Sequence, residues 1–170
     1  FANEIERRGW AKKTIGITRD CQQLTTRSRD SLIAALPNAR FVDCDLLVNR
    51  LRLVKSPGEI AFMSDASQIT ERIMATFFEE VRPGVRECDV SAEIHKVQTA
   101  GTPTFAGDYP ASIPFFASGP QSATTHLTWT DRRFTGDETV SLQASGVRAR
   151  YHSPMARTMH LGKPPQELVD

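Results

Sequence analysis

Leu51-Arg52-Leu53-Val54-Lys55-Ser56-Pro57-Gly58-Glu59-Ile60 is the stretch that divides the chain. Ser56 suits a helix N-cap, and Pro57 suits the first helical position, where an N–H would have no partner anyway. Glu59 then falls in the first turn, where a negative charge complements the helix dipole. The spacing predicts a helix from Ser56 to about Val81. Phe62, Ala66, Ile69, Ile73, Phe77 and Val81 step by three or four residues and form one apolar stripe. Arg82-Pro83-Gly84 ends it. A second helix is expected from near Asp89, with Val90, Ile94 and Val97 facing inward and His95 on the solvent side, and Gly101-Thr102-Pro103 stops it. Residues 51–58 therefore read as a hinge.

Upstream of the hinge, residues 1–54 read as an α/β layer. Ala2 to Trp10 and Leu24 to Leu36 suit helices, Thr14 to Thr18 and Arg40 to Asp43 suit strands, and an αβαβ order implies parallel neighbours. No GxGxxG follows either strand, so no nucleotide site is indicated. Downstream of residue 103, Gly, Pro, Ser, Thr and aromatics take over and strands are favoured. The expected strands are 112–117, 139–144, 148–152 and 158–161, with residues 132–137 a polar connection. Helices followed by an antiparallel sheet make this part α+β.

Twenty-one Lys and Arg oppose twenty Asp and Glu, and no dense basic stripe occurs, so no nucleic-acid partner is expected. No apolar run approaches the roughly 20 residues of a membrane span. The start lacks the basic and apolar regions of a signal peptide, and three scattered cysteines without a CxxC pair suit a reducing cytoplasm. The chain also starts without Met and ends in a linker-like Pro164-Pro165-Gln166 run, so both ends are expected to be truncations.

Two segments carry chemistry. His126 lies in Ser122-Ala123-Thr124-Thr125-His126-Leu127-Thr128-Trp129-Thr130-Asp131, and an imidazole moves protons near neutral pH. Taken alone, a loop histidine is more often plain surface. The second segment is Arg148-Ala149-Arg150-Tyr151-His152-Ser153-Pro154-Met155-Ala156-Arg157-Thr158. Arg157 can grip a carboxylate through two parallel hydrogen bonds; the plainer reading is a strand with its polar residues outward. His152 and His160 are too far apart along a strand to share a metal, and no HExxH is present.

In this order after the Lys-Ser-Pro-Gly-Glu hinge, these segments resemble the creatinase/aminopeptidase, or pita-bread, superfamily. Arg82-Pro83-Gly84-Val85, Asp89-Val90, Gly136-Asp137 and Arg157-Thr158 continue the match. The resemblance implies that residues 1–54 are the C-terminal part of an α/β N-terminal domain. Residues 55–170 would be the first half of the pita-bread catalytic domain, helices packed on an antiparallel sheet. Metallopeptidase members place one Asp on the first ligand strand and a second eleven residues later, where this chain has Gln143 and Pro154. A neutral amide is a poor ligand for a hard dication and proline offers no side-chain donor. The chain is therefore similar to the metal-independent branch, with no cofactor.

Within that branch, His126-Leu127-Thr128-Trp129-Thr130-Asp131 and Arg150–Thr158 look most like ectoine hydrolases. Creatinases carry an acidic residue where this chain has Ala156. The resemblance implies hydrolytic opening of a cyclic amidine, with His126 catalytic and Trp129, Tyr151, His152, Arg157 and Gln143 binding a small zwitterion. Ectoine hydrolases carry Glu at the position of Gln143, so a catalytically impaired binder on the same fold is one alternative, and creatinase-like or Xaa-Pro peptidase-like hydrolysis is another. A cytoplasmic homodimer is implied as well.

Overall fold

A computed structural model of the chain describes residues 1–169, which form two compact units, residues 1–55 and the remainder from Ser56 onward. In the first unit, β1 (Thr14–Ile17) and β2 (Arg40–Asp43) pair in parallel with Ile15 opposite Phe41. The crossover between them is α2 (Thr26–Ala35), whose N-cap Thr25 accepts a hydrogen bond from the Ser28 N–H at 3.2 Å. Ile17 and Leu36 are this unit's buried apolar side chains among the described residues. α1 (Ala2–Arg7) stops short of Trp10 because Gly9 turns left-handed, at φ +72°. The hinge is narrower than expected. Leu51, Arg52 and Leu53 belong to α3 (Leu47–Leu53), which starts after Leu46 reverses the chain at φ +63°; only residues 54–56 are extended.

The second unit opens with α4 (Pro57–Glu80), and its start is a capping box. The Ser56 N–H donates to Glu59 Oε2 at 2.7 Å while the Glu59 N–H donates to Ser56 Oγ at 3.4 Å, so two otherwise orphaned donors are satisfied reciprocally. Ala66, Ile69, Ile73 and Phe77 are fully buried and Val81 nearly so. Phe62, expected in the same stripe, is 39% exposed and stacks on Tyr151 instead. α5 (Glu87–Ala100) begins two residues earlier than the apolar spacing suggests, because the Glu87 and Cys88 N–H groups are taken by the carbonyls of Arg132 and Thr130. His95 is half-buried rather than solvated: Nδ1 lies 2.7 Å from the Ser91 carbonyl and the ring meets Trp129 edge-on.

β3 (Phe115–Ser118), β4 (Glu138–Arg148) and β5 (Tyr151–Leu161) form an antiparallel sheet in that order. Residues 148–152 are not a strand of their own. They wrap the β4–β5 hairpin, with Ala149 and Arg150 both left-handed at φ +48° and +68°. A two-residue hairpin turn with positive φ at both central positions is usually built from Asn-Gly, and here neither residue is present.

Along β4 the burial alternates: Glu138, Val140, Leu142 and Ala144 are buried against the helices, while Thr139, Ser141, Gln143 and Ser145 lie on the other face. Helix and sheet are also joined by buried polar bonds. Thr70 Oγ1 donates to the Ser153 carbonyl at 2.6 Å and accepts from the Gly146 N–H at 2.9 Å, and Gln98 Nε2 donates to the Ser145 carbonyl at 2.6 Å. Gly146 is required where α4 crosses β4, since a Cβ there would overlap the Ala66 carbonyl and lie 2.7 Å from Thr70 N. Gly146→Ala is expected to destabilise the protein by about 1–3 kcal/mol, the usual cost of forcing a methyl into a packed core, read as a lower urea midpoint. An unchanged midpoint would mean the helix shifts freely.

Candidate active site

The sheet face turned away from α4 is polar. Cross-strand pairing sets Phe115, Gln143 and Ala156 in one row, Ala117, Ser141 and Thr158 in the next, and Thr139 opposite His160 in a third. The connection from β3 to β4 folds back over this face through a short 3₁₀ turn, Gly119–Ala123, and is tied to β3 by the Phe116 N–H donating to the Leu127 carbonyl at 2.8 Å. Together they frame an open cleft of about 190 Å³ lined by Phe115, Ser122, Thr124, Thr125, His126, Ser141, Gln143, Arg157 and Thr158, among others.

His126 is exposed at the mouth of this cavity, with a left-handed backbone at φ +59° and its ring stacked on Phe115, centroids 4.4 Å apart and planes 27° from parallel. A non-glycine residue held there stores strain, which clusters at functional positions. Of the four histidines, His126 alone keeps both ring nitrogens free of protein partners among the described residues. His152 Nδ1 donates to the Arg150 carbonyl and Nε2 accepts from the Ala111 N–H, each at 3.0 Å. His160 lies 3.1 Å from both Thr139 Oγ1 and Asp137 Oδ1.

The structure thus brings His126, Gln143 and Arg157 to one cavity, and not the other expected binding residues. Trp129 packs against the hydrophobic core and His95. The Tyr151 hydroxyl donates to Glu59 Oε1 at 2.7 Å. His152 fastens residue 111 to the hairpin. Arg157 itself sits opposite Leu142, in the phase of the helix-facing row, and its Nη1 donates to the Ala156 carbonyl at 2.8 Å, so it borders the cavity from the edge strand. The hydroxyls of Ser122, Thr124, Thr125, Ser141 and Thr158 were not legible as lining: period-2 alternation would have placed Ser141 and Thr158 beside Gln143 only once the register was known.

At Gln143 and Pro154 these strands present no carboxylate to a metal of the kind metallopeptidases hold. Pro154 pairs with Ser145 and offers no donor, Gln143 offers a neutral amide, and no carboxylate among the described residues lines the cavity. Among the described residues no group of three or more His, Cys, Asp or Glu is placed to bind an ion.

Behind the site lies a buried charged network that sequence reading took for a plain polar connection. Glu87 is fully buried; its Oε1 accepts from Ser118 Oγ, and its Oε2 accepts from the Thr130 N–H and hydroxyl, both at 2.7 Å. Arg132 Nη1 donates to Ser118 Oγ at 2.7 Å and to Glu138 Oε1 at 3.1 Å, and Nη2 pairs with Glu138 Oε2. Burial pushes the Glu138 carboxyl up, but the Arg132 guanidinium and the Thr135 N–H outweigh it and hold it below the usual carboxylate range.

The profile of Metallopeptidase family M24 matches residues 61–170. An uncharacterized hydrolase/peptidase, y4tM, of Sinorhizobium fredii is 42% identical over 93% of this chain and 40% of its own length. The ectoine hydrolase of Halomonas elongata is 37% identical over 95% of this chain and 42% of its own length. In fold, the prolidase from Pyrococcus furiosus superposes with a TM-score of 0.82 at 23% identity, over 98% of this chain and 47% of that one. The Xaa-Pro dipeptidase from Bacillus anthracis does so with 0.77 at 27%, over 99% and 45%. The chain thus spans about two-fifths of the length of these curated relatives. By the profile match across most of its length, it belongs to metallopeptidase family M24.

Proposed function

We propose that this chain is part of a hydrolase that opens the cyclic amidine ring of ectoine or hydroxyectoine, giving an N-acetylated diaminobutyrate, without a metal ion. The observation that carries this reading is the 37% identity to the Halomonas elongata ectoine hydrolase across 95% of the chain. Gln143 and Pro154, standing where metallopeptidases place their two aspartates, support the metal-free half of it.

In this reading water adds to the amidine carbon, one ring C–N bond breaks, and the departing nitrogen takes a proton. His126, with both nitrogens unengaged beside the cavity, is the group that carries that proton and recovers it from the attacking water. Arg157 meets the substrate carboxylate from the edge strand, and Gln143 and the cavity hydroxyls bond the ring's polar atoms. No carboxylate among the described residues lines the cavity, so in this reading the counter-charge for the amidinium is supplied by other residues of the whole protein, which we take to be a cytoplasmic homodimer.

The test is turnover of ectoine by the full-length protein after exhaustive chelation, followed by NMR of the product. Acetylated diaminobutyrate is expected to form at the same rate with and without chelator. Activity that disappears on chelation and returns with manganese or cobalt, or cleavage of Xaa-Pro dipeptides alone, would overturn the reading. Gln143 favours one specific rival, a binder that has lost its chemistry: ectoine bound tightly but turned over only by the Gln143→Glu variant would select it.

A further inference from the structure

A histidine that moves protons is ordinarily oriented by a hydrogen bond from one ring nitrogen to a carboxylate or carbonyl. His126 has no such orienter among the described residues, yet its backbone is held in a left-handed conformation and its loop is pinned to β3 through the Phe116 N–H and Leu127 carbonyl. What holds the ring itself is a face: the Phe115 side chain, 4.4 Å away and nearly parallel. Phe115 in turn is fixed by its strand pairing with Gln143, and both line the cavity.

We infer that Phe115 is the positioning residue for His126, replacing the usual hydrogen-bonded orienter with an aromatic face that fixes the imidazole plane while leaving both ring nitrogens open to the cavity. This rests on His126 being the proton carrier of the proposed reaction. Its chemical consequence is that the tautomer is not locked. Either nitrogen can give a proton to the departing amine while the other takes one from water, provided the plane is held. Without the face, the side chain is free to rotate about its two torsions out of the cavity. Misplacement by about 1 Å is enough to cost on the order of 100-fold in rate.

The experiment uses the full-length protein with Phe115→Leu, which keeps apolar bulk but removes the ring, and Phe115→Tyr, which keeps the ring. Two readouts are taken, with thermal melting as the control for folding. In histidine-labelled protein, the resonance lost in His126→Gln identifies the imidazole of interest. The His126 ring protons are expected to be displaced by the Phe115 ring current, to lose that displacement in Phe115→Leu and to keep it in Phe115→Tyr. For ectoine turnover, kcat is expected to fall about 10- to 100-fold in Phe115→Leu with KM little changed, and to be largely recovered in Phe115→Tyr. A His126 resonance that does not move in Phe115→Leu, or a kcat that does not fall when the resonance does move, overturns the inference. If the natural protein turns over no ectoine, the proposed function fails by itself, and the resonance still decides whether Phe115 holds the ring.

Discussion

His126→Gln in the full-length protein is expected to lower kcat for ectoine by about 10²–10⁴-fold, the range a positioned proton-transfer group contributes, while leaving the melting temperature unchanged. The rate range corresponds to roughly 3–5 kcal/mol of transition-state stabilisation. The separation of the two readouts follows from the geometry. The imidazole is exposed, packs only its face on Phe115 and gives no hydrogen bond to the protein among the described residues, so its removal breaks little that holds the fold. Glutamine retains polarity but carries no proton that titrates near neutrality. A fall in kcat and kcat/KM together would mark an interaction made only in the transition state, whereas a rise in KM alone would make His126 a binding group. A variant with natural kcat would return His126 to the plain surface residue that its polar loop suggests on first reading.

α4 was legible because its signals are local. Ser56, Pro57 and Glu59 state the start of α4 within four residues, and Ala66, Ile69, Ile73 and Phe77 state its buried face by spacing alone. His126 and Arg157 were legible as chemistry and Gln143 only through the family resemblance; the three line one cavity. What was not legible depends on pairings between distant residues. The Ala149-Arg150 turn has no glycine or asparagine to announce it, so the hairpin's register was hidden, and with it the fact that Arg157 starts from the helix-side row opposite Leu142. The resemblance assigned Trp129 to the substrate; its actual partners are His95 of α5 and the hydrophobic core. Glu87 and Arg132 are 45 positions apart by subtraction of their numbers, and nothing in either segment says that one carboxylate will be buried beside the other's guanidinium.

Arg132→Met is expected to cost about 3 kcal/mol of folding stability, because it strands one fully buried and one mostly buried carboxylate. Glu87 is fully buried and Glu138 nearly so, and Arg132 is the cation that faces both, 3.8 Å from Glu87 and in direct pairing with Glu138. Methionine fills similar space but neutralises neither. The same network ties residues 130–134 to the start of α5 through the Glu87 and Cys88 N–H groups, so its loss also loosens the loop that carries His126.

The dependence on pH has a definite sign. Glu138 has a folded-state pKa below its unfolded value, near 4.3, so it binds fewer protons when folded in the interval between the two. Its contribution is fully present above the unfolded value, and it is lost as pH falls from there through the folded one. Urea midpoints of the natural protein should therefore drop as pH is lowered below about 4.3, and the drop should be shallower in Arg132→Met, whose Glu138 no longer gains from being ionised. Parallel pH profiles for the two proteins would show that the guanidinium does not govern that carboxylate, and a midpoint unchanged by Arg132→Met at neutral pH would show that water reaches both acids after all.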